Sequence, residues 1–224
     1  MKPTRTKLDR EPLERRAVRV KKPKLTRAQK AERIKSALFE AAAKAVGAHG
    51  YLNAMIQKIT SQADVANGTF YNYFETRQEL FDQLLPHLGR EMLTFIGDRS
   101  RDGAGEFERE RKRLLAFFEF LRERPEFYRI LYEAEVFAPA AFEEHEKLVQ
   151  KRYLRLLERA LEAGEITGYT PRELEAVVLI LMGARHYMAM RYGPHNGRDG
   201  KLPDYVIKAY SKFIARGLRA AQED

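Results

Sequence analysis

The sequence predicts an all-α fold of about nine helices and no sheet. Three observations carry this prediction. Apolar residues recur at three- and four-residue spacing along most of the chain, and no segment alternates in the period-two pattern of a strand. Capping signals mark helix starts at Thr26-Arg-Ala-Gln29, Thr76-Arg-Gln-Glu79 and Thr170-Pro-Arg-Glu173. Only 9 Pro and 14 Gly interrupt long Ala, Leu, Glu and Arg stretches.

The elements follow in order. Thr26 caps a first helix whose Ile34, Leu38, Ala41, Ala42 and Ala45 share one face, and His49-Gly50 ends it. Asn53 is the expected N-cap of a short second helix with Ile56, Ile59 and Ala63 inward. After a break at Asp64, a third helix is expected over residues 66–74. Thr76 opens a long fourth helix holding Leu80, Phe81, Leu84, Leu88 and Met92. Pro86 inside it removes a hydrogen bond to Asp82 and predicts a kink. Glycines at 103 and 105 mark a loop, and helices are then expected over residues 106–122, 126–135 and from 139 to about 163. Pro171 sits at the first position of an apolar helix reaching about residue 191, and Pro203 starts the last, expected to run to residue 221.

The totals exclude several functions. The chain has 224 residues, 44% hydrophobic and 33% charged, with a mean hydropathy of -0.54, enough apolar material for a core. With no Cys there is no disulfide framework, thiolate metal site or Cys nucleophile. The longest uncharged apolar run, residues 176–184, is too short to span a bilayer, and the N-terminus lacks a signal peptide's apolar stretch, so a cytoplasmic location is expected. The net charge of +9 is concentrated at one end. Residues 1–26 hold ten basic and three acidic residues, +7, which leaves +2 for the other 198. Residues 1–25 therefore read as a flexible basic arm, suited to a polyanion.

Residues 54–77 carry the functional signal. Two short helices joined by a tight turn have the geometry of a helix-turn-helix, which lays its second helix in the DNA major groove. Phe70 and Phe74 share a face and anchor that helix. The opposite face offers Asn67, Thr69, Asn72 and Tyr73, small or flat groups suited to base edges and phosphates. Gly68 allows close backbone approach, and Arg77 stands at the positive end of the next helix, a place better explained by a phosphate partner than by helix stability.

The ordered pattern Gly50-Tyr51, Ile59-Thr60, Ala63-Asp64-Val65-Ala66, Gly68-Thr69-Phe70-Tyr71-Asn72-Tyr73-Phe74 and Arg77-Gln78-Glu79-Leu80 resembles the DNA-binding domain of the tetracycline-repressor (TetR) family over residues 27–85. Four positions depart from that pattern. Thr60 replaces Ala, Asp64 the turn Gly, Ala42 a larger apolar residue, and Ala66 a Ser cap at a cost of about 1 kcal/mol. The resemblance implies phosphate or base contacts from Thr69, Tyr71 and Tyr73, base reading by Asn72, a phosphate contact from Arg77, and backbone contacts from Lys58 and Thr60. The basic arm would follow a minor groove or phosphates beside the recognition helix. It also implies a DNA-binding domain over residues 26–75 and a ligand-binding and dimerisation domain over 76–224. Two such chains would pair through their last two helices and bind a palindromic double-stranded operator.

The pocket of a small, largely hydrophobic or aromatic effector is expected among residues 106–190. Its wall would include Phe117, Phe118, Leu121, Phe127, Tyr128, Leu131, Tyr132, Tyr153, Met182 and Met188. Arg185 and His186 interrupt the apolar helix, with Glu133, Glu135 or a ligand anion as partner for Arg185. No metal or cofactor is expected, since His145 and His186 lack paired ligand spacing. No phosphate loop, His-Glu-x-x-His or Gly-x-Ser-x-Gly motif points to an enzyme. The competing reading is a helical protein-interaction adaptor, which leaves the arm and the Thr69–Arg77 pattern without a task.

Overall fold

In a computed structural model, residues 26–195 and 197–218 are described. The basic arm (1–25) and the end of the expected last helix lie outside them. Thr26 forms the predicted reciprocal capping box with Gln29 and starts α1, Arg27–Asn53. The break falls at Gly50, whose φ of 77° turns the chain before Tyr51 enters the core. A Cβ there would also lie 2.7 Å from the Arg129 guanidinium and 2.8 Å from the Glu133 carboxylate, so only glycine lets these side chains reach the turn.

α2, Ile56–Gln62, starts at Met55 instead of Asn53. Asn53 still belongs to the last turn of α1 and donates back to the His49 carbonyl, so it is not free to cap. The turn after α2 is a Schellman motif: Asp64 N–H bonds the Ser61 carbonyl and Val65 N–H bonds the Thr60 carbonyl. Asp64 takes the left-handed conformation (φ 54°), so the residue replacing glycine keeps the turn. α3, Asn67–Phe70, is shorter than the expected 66–74. Ala66 gives no side-chain cap, and residues 72 and 73 tighten into bonds to the carbonyls three positions back.

Thr76 caps α4, Arg77–Ser100, by accepting from Glu79 N–H. The Glu79 carboxylate reaches Glu75 N–H instead of that of Thr76, so the predicted box is shifted by one residue. α4 continues through the buried Pro86 as one helix. α5 spans Glu106–Glu123, α6 Glu126–Phe137, α7 Pro139–Glu162, α8 Pro171–Tyr192 and α9 Asp204–Gly217. The Thr170 box and Pro171 at the start of α8 match expectation. Among the described residues every regular element is a helix. α4 packs on α5 and α7, α7 on α8, α5 on α9, and α6 on α1. No described helix is long and apolar enough to cross a membrane.

Candidate nucleic-acid interface and internal cavity

Phe70 and Phe74 are buried as anchors, and Phe74 meets Phe39 of α1 edge-on. Their burial turns the other face of α3 outward. Asn67, Gly68, Tyr71 and Asn72 are exposed and Thr69 is half-buried. A Cβ placed on Gly68 would meet nothing within 4 Å, so that surface is open. Asn67, Tyr71 and Arg77 come together with Leu52, Met55 and Gln57 around a shallow recess between α2, α3 and the end of α1. Lys58 is exposed on α2.

Two predicted contacts change character. Thr60 is 1% exposed, and its hydroxyl donates to the Ile56 carbonyl and bonds the Asn67 side chain. It joins α2 to α3 from the inside and cannot reach a phosphate. Tyr73 packs against the core with part of its surface free. Arg77 has protein partners as well, since its guanidinium donates to the Leu52 carbonyl at 3.3 Å and lies 5.5 Å over the Phe81 ring. Sequence reasoning missed Gln57, an exposed polar side chain on the recess rim, whose place on the open face of a short helix was available as a signal.

The helical body holds a partly open cavity of about 910 Å³. Of the expected wall, α5 supplies Phe117 and Leu121, and α6 supplies Phe127, Tyr128, Leu131 and Tyr132. Tyr153 comes from α7, and Met182, Arg185 and His186 from α8. Phe118 and Met188 do not line it. On α5 the cavity face repeats at 113, 117 and 121, and on α8 it runs through 182, 185, 186 and 189. A residue one step away is turned by about 100°, so Phe118 and Met188 pack into the core instead.

Arg185 pairs with neither Glu133 nor Glu135. Its guanidinium donates to Glu110 at 2.6 Å and to the Tyr153 hydroxyl at 2.9 Å. Glu110 is fully buried and also receives Arg113 at 3.2 Å and the Tyr210 hydroxyl. Glu106, 1% exposed, holds Arg113 and Arg109. This ionic cluster joins α5 to α7, α8 and α9. Burial alone would raise the Glu110 pKa, but Arg185 and Arg113 beside it reverse this and hold its carboxyl below the ordinary range. The Glu- and Arg-rich start of α5 looks in sequence like a solvated face, so its burial was not readable there. Glu133 instead accepts from Tyr51 N–H at 2.9 Å and holds Arg129, which donates to the Gly47 carbonyl. α6 therefore presents one face to the cavity and the other to α1.

His145 also lines the cavity, 3% exposed, with Nδ1 unpartnered. A Cβ on Gly89 would sit 2.3 Å from that nitrogen, so the imidazole rests on the α4 backbone at a position only glycine permits. Burial pushes its pKa down to about 4, which keeps the ring neutral. No group of three His, Asp or Glu among the described residues is placed to hold a metal. Away from the cavity, α8 leaves Ile180, Tyr187 and Met190 exposed, with Leu179 exposed at the cavity mouth, and α9 leaves Tyr205 and Phe213 exposed. The apolar flank of α8 is thus open within one chain.

Residues 38–84 match the family described as "Bacterial regulatory proteins, tetR family". An uncharacterised HTH-type transcriptional regulator of Bacillus subtilis (strain 168), YhgD, is 24% identical over 187 residues, 83% of this chain and 97% of that protein. Two solved structures share the fold. The fatty acid degradation regulator FadR from Bacillus halodurans has a TM-score of 0.66 at 18% identity, over 84% of this chain and 97% of that one. FadR from Bacillus subtilis, solved in complex with stearoyl-CoA, has a TM-score of 0.64 at 17% identity, over 82% of this chain and 99% of that one.

Proposed function

We propose, from the match of residues 38–84 to the tetR family and the likeness to an HTH-type transcriptional regulator, that this chain is a DNA-binding regulator of that kind, a repressor released from its operator by a small, largely hydrophobic ligand. Residues 26–75 bind DNA, residues 76–224 bind the ligand and pair two chains, and the basic arm adds phosphate contacts. The reading face is Asn67, Gly68, Thr69, Tyr71 and Asn72, with Lys58 and Arg77 on the DNA backbone and Tyr73 at the edge. The exposed apolar side chains of α8 and α9 fit a homodimer interface, which would set two heads on a palindromic site. The protein acts in the cytoplasm, on chromosomal DNA.

One observation carries the ligand-response part of this reading: α6 lies between the cavity and α1. Phe127, Tyr128, Leu131 and Tyr132 face the cavity, while Arg129 and Glu133 hold the turn at Gly50. A ligand that favours one position of α6 therefore favours one position of the head. α4 offers a second route, running from the head through Pro86 to the cavity wall. The stearoyl-CoA bound by FadR of Bacillus subtilis supports an oily occupant.

The test is anisotropy of a labelled genomic fragment retained by the purified protein, titrated with dodecanoyl-CoA. Release is expected in the wild type and weakened in Glu133→Gln and Pro86→Ala. Unchanged release in both variants would sink the relay, and absence of any retained fragment would sink the repressor reading.

A further inference from the structure

We propose that the cavity takes an amphipathic anion, an apolar tail with a carboxylate or phosphate head, and that Arg152 and Arg159 hold the head. This rests on the reading of the cavity as the effector site and names the chemistry that site selects. α4 and α7 run side by side in the same direction. His145 sits on Gly89, and Arg152, seven residues further along α7, approaches Gly97, eight residues further along α4. Along α4 the wall changes from Met92, Leu93 and Ile96 to Asp98, Ser100 and Arg101. Along α7 it runs from Phe142, His145, Glu146 and Val149 to Arg152, Tyr153, Leu156 and Arg159, so that both arginines stand in the far half. α5 returns after a short loop and shows the same gradient reversed, from Glu106, Arg109 and Arg113 to Phe117 and Leu121. On α4 and α5 the end near the head domain is apolar and the far end ionic, and α7 brings Arg152 and Arg159 to that far end.

At the far end the arginines fall into two groups. Arg101 pairs with Asp98, Arg109 with Glu106 and Glu165, and Arg113 with Glu106 and Glu110. Arg185, on α8, is neutralised by Glu110. Arg152 and Arg159 have no carboxylate partner among the described residues. They stand seven residues apart on the cavity face of α7, about 10 Å along it, and both are exposed at the rim. Glu146, the remaining acid of the wall, pairs with neither, and burial raises its pKa toward the neutral form. Guanidinium groups hold carboxylate and phosphate oxygens through paired N–H donors. Between Phe142 and Arg152 the helix rises about 15 Å, and Met92, Leu93, Ile96, Phe117 and Leu121 across the cavity give an extended tail apolar surface over that length. His145 at that end is neutral, so no cation competes there with the two arginines for the head.

The experiment is displacement of the neutral dye Nile red by dodecanoyl-CoA, dodecanoate and 1-dodecanol. Wild type is compared with the double variant Arg152→Gln, Arg159→Gln, with thermal melts confirming that both are folded. The double variant is expected to bind the anions about tenfold more weakly and the alcohol within about twofold of wild type. Loss confined to dodecanoyl-CoA identifies a phosphate head, and loss confined to dodecanoate a carboxylate. Equal loss for all three probes, or none, overturns the head-group assignment and leaves the cavity as a ligand site. If no probe displaces the dye from wild type, the effector-site reading falls with it.

Discussion

Replacing Glu110 by Gln keeps the side-chain shape and removes one charge from the middle of the helical body. Glu110 is 0% exposed and its oxygens receive Arg185, Arg113 and Tyr210. In the variant Arg113 keeps Glu106, while Arg185, with a side chain 12% exposed, keeps the Tyr153 hydroxyl and an amide oxygen but no carboxylate. Breaking a buried ion pair on one side costs about 3–5 kcal/mol, and the amide oxygen retains some hydrogen bonding, so about 3 kcal/mol is expected. For a chain of this size that is roughly a 6–12 °C fall in Tm. Urea and thermal melts at fixed protein concentration read it. In a double-mutant cycle Arg185→Met should cost less on the Glu110→Gln background than on wild type, with coupling above about 1 kcal/mol. The Glu110 carboxyl titrates lower in the folded state than in the unfolded one. Its stabilisation is therefore full above the ordinary carboxylate pKa and drains as pH falls through the folded value. The acid limb of the stability curve should flatten in the variant. A loss below about 1 kcal/mol with additive effects would refute the idea that this cluster ties α5 to α8 and α9.

His145 has a folded pKa of about 4 against 6.5 when exposed, so stability from the neutral ring is full above pH 6.5 and lost as pH falls toward 4, by about 3 kcal/mol in all. Urea melts across that range should show this slope in wild type and not in His145→Leu. Glu133→Ala leaves the buried Tyr51 N–H without its acceptor and should destabilise the junction of α6 and α1 by about 1–3 kcal/mol, read as faster hydrogen exchange at residues 47–54. Thr60→Val should lower stability by about 1 kcal/mol and weaken operator binding no more than Asn67→Ala does, because the hydroxyl faces inward and acts at the DNA face only through Asn67. Phe74→Ala should cost about 3–5 kcal/mol, since its ring fills the space between α3 and α1.

Much of the fold was legible because it is written locally. Thr26, Thr76 and Thr170 cap where a side-chain oxygen three residues before a Glu or Gln predicts, and Gly50 turns where a missing Cβ allows it. The length of α3 was not legible, since its end depends on how the backbone tightens at residues 71–73 rather than on apolar period. Asn53 looked like a cap because its type fits, yet the last turn of α1 keeps it. At the candidate site, the outward face of α3 followed from the inward pull of Phe70 and Phe74. Thr60 did not, because its neighbour Asn67 arrives from across a turn. The ionic cluster was hidden for the same reason: Glu110 meets Arg185 and Tyr210 only through tertiary packing, and no sequence spacing encodes that meeting.

The central property proposed for the molecule is that the outward face of α3 reads DNA. The measurement is anisotropy of a genomic fragment selected by the purified protein, at 50 and 200 mM salt, for wild type and for Thr69→Ala, Asn72→Ala. Wild type should bind the fragment specifically and lose about 10³-fold in affinity between the two salts. The paired alanines should lose at least about tenfold more while melting within about 0.5 kcal/mol of wild type. Alanine variants that bind as wild type does, or a wild type that prefers no fragment over random DNA, would contradict it.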